Sequence, residues 1–194
     1  MSASHSESYL TVDEWHALER SSDVKHEYID GQVYAMSGGT RAHAHVAGVI
    51  YARLLAALEG GPCLPYTSDV ATQVSSTRYT YADVVVSCSD LDAALTSETT
   101  ITEPKVIFKV LSESTERIDR GRKWDDYRTI ASLQEYILVG TAYQRAEAYR
   151  RTSNGWSLYC VFGPTDEIVL TSLDVQLSVA DLYDRTDVPT NDAT

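Results

Sequence analysis

Apolar positions along the chain fall into two periods, and the switches between them lay out the elements. After a polar start over residues 1–8, Thr11-Val12-Asp13-Glu14 forms a capping box that predicts a short helix to about Arg20. His26–Ile29 and Gln32–Met36 flank Asp30-Gly31, the composition of a tight turn with positive φ, so they read as two antiparallel strands. From His43 to about residue 59, Ala47, Ile50, Tyr51, Leu54, Leu55 and Leu58 recur at helical spacing until Gly60-Gly61-Pro62 ends the run. Strand-like segments follow at 64–74 and 80–88, then a Thr- and Ser-rich surface loop over 89–103. Lys105–Leu111 is an apolar run rich in β-branched residues, which reads as a strand buried on both faces of a mixed or parallel sheet. A helix over Asp119–Ala131, with Trp124, Tyr127, Ile130 and Ala131 facing inward, returns the chain to a strand at Glu135–Val139. The remainder alternates in short β-like pieces, Ala146–Arg151, Trp156–Phe162 and Ile168–Leu173, with Asn154-Gly155 as a second turn. Ser178 caps a last short helix.

No internal repeat interrupts this order. It predicts one domain over 9–187, between a flexible N-terminus, 1–8, and a flexible tail, 188–194. At 194 residues and 43% hydrophobic, such a domain buries a core of its own. The formal net charge of −12 argues against a protein that coats nucleic acid by neutralising phosphates, so any nucleic-acid site has to be local. Cys63, Cys88 and Cys160 are odd in number and lack C-x-x-C spacing, which reads as reduced core thiols in a reducing, cytoplasmic compartment. No apolar run reaches the ~20 residues that span a bilayer, and the start lacks an export pattern.

Lys109 breaks the pattern of its strand. An ammonium group inside such a run carries a large desolvation cost unless a carboxylate or a cleft receives it. The best partner is Asp83, which opens the apolar run Tyr81–Val86 in the same way. A buried structural ion pair would satisfy both residues, and so would an active site. A carboxylate on one strand, an ionisable residue on the next and a lysine on the following helix is also how metal-dependent phosphodiesterases hold a divalent ion.

Tyr28-Ile29-Asp30-Gly31, Gly39-Thr40-Arg41-Ala42-His43, Tyr81-Ala82-Asp83, Phe108 to Thr115, Asp119-Arg120-Gly121-Arg122-Lys123 and Tyr127 together resemble the Uma-type restriction endonuclease family, a branch of the PD-(D/E)XK nuclease superfamily. The resemblance covers most of residues 9–185. It implies an α/β (α+β) restriction-endonuclease-like fold, with a mixed central β-sheet flanked by helices and extra C-terminal β-hairpins. It further implies Mg²⁺- or Mn²⁺-dependent hydrolysis of a nucleic acid, DNA first, and the fold allows a homodimer. Asp83 would be a metal ligand and Glu27 the acidic residue from the N-terminal region, unless Glu27 is an exposed hairpin residue. The family's second metal carboxylate, the glutamate of an E-V-L-S sequence, corresponds to Lys109. Ala82 stands for the usual proline, and the superfamily lysine position is Leu111, for which Lys123 is a migrated replacement. His43 belongs either to a polar first helical turn or near the scissile phosphate. His45 does not share its helical face, so a zinc pair is not expected.

Exchanging a carboxylate for an ammonium changes the local charge by two units, and two unit charges ~4 Å apart interact by roughly 4 kcal/mol at an effective dielectric of ~20. The chain is therefore expected to fold, to bind divalent metal weakly and to cleave slowly or not at all. The alternative is a catalytically inactive module of the same fold that binds nucleic acid or protein. Nothing resembles a Gly-x-Ser-x-Gly elbow, which argues against a serine hydrolase. The basic run Arg117, Arg120, Arg122, Lys123 follows the candidate site, where a phosphate backbone would lie, whereas Asp69 reads as a turn or strand-edge residue.

Overall fold

A computed structural model describes residues 9–94, 99–113 and 115–190. The segments 1–8 and 191–194, part of the 89–103 loop and Ser114 of the strand-to-helix motif lie outside them. In chain order the elements are α1 (Val12–Ser21), β1 (His26–Ile29), β2 (Gln32–Ala35), α2 (Arg41–Ala57), β3 (Leu64–Thr67), β4 (Ala71–Ser75), β5 (Arg78–Thr80), β6 (Val84–Ser87) and α3 (Asp90–Ala93). They continue with β7 (Thr100–Ile101), β8 (Pro104–Val110), α4 (Glu116–Arg120), α5 (Arg122–Tyr127), β9 (Glu135–Val139), β10 (Ala146–Thr152), β11 (Gly155–Phe162), β12 (Glu167–Leu170), β13 (Val175–Ser178) and α6 (Val179–Leu182). The fold is mixed α+β.

The expected central sheet is a six-stranded one in the order β11-β10-β9-β8-β6-β3, antiparallel except where β8 runs parallel to β9. The β10–β11 hairpin is part of it, and only β12–β13 stands as a separate C-terminal hairpin. A second sheet, β2-β1-β5-β4-β7, is built from strands between residues 26 and 101. The segment 64–74 is thus two strands: β3 joins β6 in one sheet, and β4 joins β5 in the other.

Strand β8 organises the core because its side chains alternate between two apolar layers. Val106, Phe108 and Val110 meet Val46, Ile50 and Leu54 of α2. Ile107 and Leu111 meet Tyr127, Ile130 and Leu133 on the opposite face. Lys109 therefore points into the second layer. A third cluster, Trp15, Tyr28, Ala71, Tyr79 and Tyr81, seats α1 on the smaller sheet, with Trp15 Nε1 donating to the His26 carbonyl at 2.8 Å.

Local signals in the sequence account for the ends of the elements. Thr11 accepts from the Glu14 N–H at 3.3 Å while Glu14 accepts from the Thr11 N–H at 2.8 Å, the reciprocal bonds of the capping box. Asp30 and Gly31 turn the β1–β2 hairpin at φ of 50° and 94°. Thr40 caps α2, two residues earlier than the apolar spacing suggests, and Leu55 is solvent-exposed while Val46 takes the inward place. The expected helix over 119–131 is two short helices. At Gly121 a Cβ would meet the Arg117 carbonyl at 2.9 Å, and the chain bends there at φ −109° and ψ −104°. Ala131 lies beyond the second helix and is exposed.

Three further expectations are corrected. The 89–103 loop is pinned by buried Asp92, which accepts from Ser87 Oγ and from the N–H groups of Thr102 and Glu103 at 2.8–3.0 Å. In the C-terminal tail Val188 is buried, and the Gln144 N–H donates to the Pro189 carbonyl at 2.8 Å. Cys63 and Cys88 form a disulfide: the Leu64–Ser87 pairing of β3 with β6 sets them opposite one another, with Cα atoms 4.0 Å apart. Only Cys160 is free, so a reducing compartment loses its support from the cysteines. No described helix is long and apolar enough to cross a membrane.

Thiol titration of denatured, unreduced protein should accordingly find one thiol per chain, Cys160. Three thiols would remove the Cys63–Cys88 bond. Converting both bridged cysteines to alanine should lower unfolding stability by about 3 kcal/mol, the loop-closure cost for a bridge of this span.

Candidate active site

Asp83 and Lys109 meet because β6 and β8 pair with Val84 opposite Phe108, and one further residue along the same register brings Asp83 to Lys109. The Asp83 N–H donates to the Phe108 carbonyl at 3.2 Å. In return, the Val110 N–H donates to Asp83 Oδ2 at 2.7 Å, and Lys109 Nζ stands 2.9 Å from the same oxygen. His43 Nε2, in the first turn of α2, lies 3.5 Å from Asp83 Oδ1. Lys109 also reaches the Tyr81 carbonyl at 3.4 Å.

The cluster continues through a residue that the sequence reading left out of the site. Asp119, on the last turn of α4, is 1% exposed and has Oδ1 4.0 Å from both Lys109 Nζ and Lys123 Nζ. Its carboxylate is left to these two lysines and the Thr115 side chain. Lys123 Nζ meets Glu27 Oε1 at 2.6 Å without the angle of a hydrogen bond. Glu27 is buried, not an exposed hairpin residue. The result is a line of alternating charge, Asp83, Lys109, Asp119, Lys123, Glu27, drawn from β1, the start of β6, β8, α4 and α5. Its signal in the sequence was the i, i+4 spacing of Asp119 and Lys123 on an otherwise basic helix.

Burial alone would pull the Lys109 ammonium toward neutrality, but the carboxylates of Asp83 and Asp119 outweigh it and hold its pKa above the usual lysine range. These carboxylates thus favour its charged form. For Asp119 burial is the largest influence and raises its pKa, and Lys109 and Lys123 offset this only in part.

These residues line a cleft of about 1070 Å³ between the β1–β2 hairpin, the start of α2 and the α4–α5 pair. The basic run divides around it. Arg117 and Arg122 stand at the mouth, with the Arg122 guanidinium 5.7 Å from the centre of the Tyr34 ring. Arg120 turns away to Glu116 and Glu147 at 2.7 Å each. His45 leaves the site as well, bonded to the Asp184 carbonyl at 2.8 Å, and Asp69 pairs with Lys25 at 2.6 Å.

A divalent cation does not fit this arrangement. The Asp83 oxygen that would face it is taken by Lys109 and by a backbone N–H. Among the described residues no group of three or more His, Cys, Asp or Glu side chains is disposed to hold a metal ion.

Comparison with known proteins bears on the fold and the family. Residues 12–180 match the family model Uma2, described as "Putative restriction endonuclease". The chain is 34% identical over 175 residues to the uncharacterized protein slr1290 of Synechocystis sp., covering 90% of this chain and 91% of that one. It is 27% identical to sll1609 of the same organism, over 86% and 95% of the two chains. Its fold is similar to the crystal structure of a putative nuclease belonging to DUF820 from Anabaena variabilis, with a TM-score of 0.72 at 16% identity over 90% of this chain and 98% of that one.

Asp83→Ala should destabilise the protein by about 3–5 kcal/mol, because it leaves a buried ammonium without its nearest counter-charge. Combining it with Lys109→Met should recover most of that loss in urea unfolding curves. Asp119 titrates in the opposite sense from a paired carboxylate. Its folded pKa lies above the ordinary 3.8, so the native state holds the extra proton, and stability falls as pH rises through the window from 3.8 to the raised value. Urea unfolding across that range should show the fall in the parent, and Asp119→Asn should abolish it.

Proposed function

This chain belongs to the Uma2 family, described as "Putative restriction endonuclease", and from that premise we propose that its cleft receives the phosphate backbone of a nucleic acid, DNA first, while Lys109 stands where a divalent metal ion would otherwise be held. The observation that carries the reading is the Lys109–Asp83 contact of 2.9 Å at the floor of the cleft. In the hydrolysis that the family resemblance implies, Mg²⁺ or Mn²⁺ would supply an activated water and neutralise charge developing on the phosphoryl oxygens. An ammonium supplies one fixed positive charge and no water to deprotonate, so hydrolysis by this chain is slow or absent.

Each residue then has a role that its surroundings support. Lys109 keeps its positive charge at the floor of the cleft, since Asp83 and Asp119 hold it protonated, and with Lys123 it offsets two of the three carboxylates there. Lys123, anchored by Glu27, adds a second positive charge beside the backbone. His43 presents a ring nitrogen toward Asp83 at the start of α2, where the helix N-terminus also favours a phosphate. Asp83 remains as the aspartate of the family's metal site, engaged with protein donors instead of an ion.

Mn²⁺ calorimetry on this chain beside its Lys109→Glu variant, with plasmid nicking followed in the same samples, tests the reading. The parent should neither bind nor nick. The variant should do both, and its melting temperature should rise on adding Mn²⁺, since a ligand that binds only the native state stabilises it. Binding and nicking by the parent would overturn the blocked-site reading. Failure of the variant in both would leave a binding module without latent nuclease chemistry.

A further inference from the structure

The mouth of the cleft carries an aromatic ring and two guanidinium groups that neither the core nor the buried charges require. In the β1–β2 hairpin Glu27 is paired with Tyr34, so the two side chains leave the same face of the ribbon, with Cβ atoms roughly 5 Å apart. Glu27 faces inward to Lys123, and Tyr34 stands outside it, 41% exposed, on the edge strand of its sheet. Ile118 on α4, which lines the same cleft, is equally exposed. Arg122 sits over the Tyr34 ring, and Arg117, also exposed, lines the cleft with it. Among the described residues neither arginine has a carboxylate within salt-bridge distance. In a chain of net charge −12, two uncompensated guanidiniums at one opening mark a place for an anion.

Resting on the nucleic-acid reading above, we propose that the substrate is an unpaired strand, one base of which stacks on Tyr34 while its neighbouring phosphates meet Arg122 and Arg117. Bases inside a duplex are covered on both faces by their neighbours. They cannot offer a face to a ring placed one residue away from the phosphate site, whereas the bases of a single strand can. The charge distribution points the same way. A duplex would bring many phosphates toward a surface that is mostly acidic, while a short unpaired segment needs only the two cations at the rim. With two phosphates neutralised, log K should fall against log salt with a slope of about −1.4.

The bland alternative is that the Tyr34–Arg122 contact merely ties the hairpin to α5. The two readings differ in what Tyr34 does for binding. Fluorescence anisotropy at low salt with EDTA, on the full chain, would compare a short single-stranded DNA oligonucleotide with the same sequence as a duplex. Tyr34→Ala, Tyr34→Phe and Arg117→Ala would be measured beside the parent, with melting temperatures checked. The parent should bind the single strand at least about ten-fold more tightly than the duplex, and Tyr34→Ala should lose about ten-fold on the single strand. Tyr34→Phe, which keeps the ring, should restore that affinity, and Arg117→Ala should flatten the salt slope by about 0.7. Equal or tighter duplex binding, or full single-strand affinity in Tyr34→Ala, would overturn the unpaired-strand inference and leave nucleic-acid binding in place. Absence of binding to either form, by any of the proteins, would remove both readings together.

Discussion

A single ammonium group in the wrong layer of a sheet sets the terms for the middle of this molecule. Lys109 belongs by alternation with Ile107 and Leu111, in a layer otherwise filled by Tyr127, Leu133 and Tyr136. It is tolerated there because carboxylates arrive from two other elements, Asp83 from the start of β6 and Asp119 from α4. Asp119 is itself tolerable only between two lysines, and the second of these is held by Glu27 on the other sheet. The line of charges thus ties both sheets and the α4–α5 pair to one floor. Buried pairs of this kind seldom outperform apolar packing as a source of stability. Their retention is better understood through the cleft above them.

What the chain disclosed in advance was what is encoded locally. The capping box at Thr11 and Glu14, the Asp30-Gly31 turn and the run of β9 each depend on residues a few positions apart, and each is found where the pattern puts it; the helix of α2 is found too, with Val46 in place of Leu55 on its inward stripe. Lys109 was legible for a related reason, since a charge inside a buried apolar run is an anomaly within seven residues. What stayed hidden depends on which strand lies beside which. Periodicity could not tell that residues 64–74 divide between two sheets. Nor could it tell that the β3–β6 pairing brings Cys63 against Cys88, or that Asp92 gathers the N–H groups of Thr102 and Glu103. Asp119 falls in the motif Asp119 to Lys123, at the start of the helix that the spacing predicts. Its burial follows from the bend at Gly121, which no apolar repeat announces.

The division of the basic run carries a similar lesson. Four cationic residues within seven positions look like one patch, yet the two short helices send them to three surroundings: Lys123 to the floor, Arg120 to Glu147, and Arg117 and Arg122 to the rim. A count of charges along a sequence therefore overstates the positive surface that a polyanion meets. Here only two of the four reach the rim, in a chain whose net charge is −12.

The outer strand of the six-stranded sheet has a consequence of another kind. β11 is eight residues long, carries no charged side chain, and leaves Leu158, Tyr159 and Val161 substantially exposed beside an unpaired row of backbone groups. Such edges are normally guarded by a lysine, a proline or a short length, and apart from the Ala148/Tyr149 bulge this one relies on the protein's overall charge. Mutual repulsion between copies of net charge −12 keeps the edges apart in dilute buffer. That protection is ionic, so it fades where the Debye length shrinks to ~3 Å in molar salt. Colloidal behaviour should then invert the usual expectation for an acidic protein, with concentrated salt opening a route to edge-to-edge association through β11.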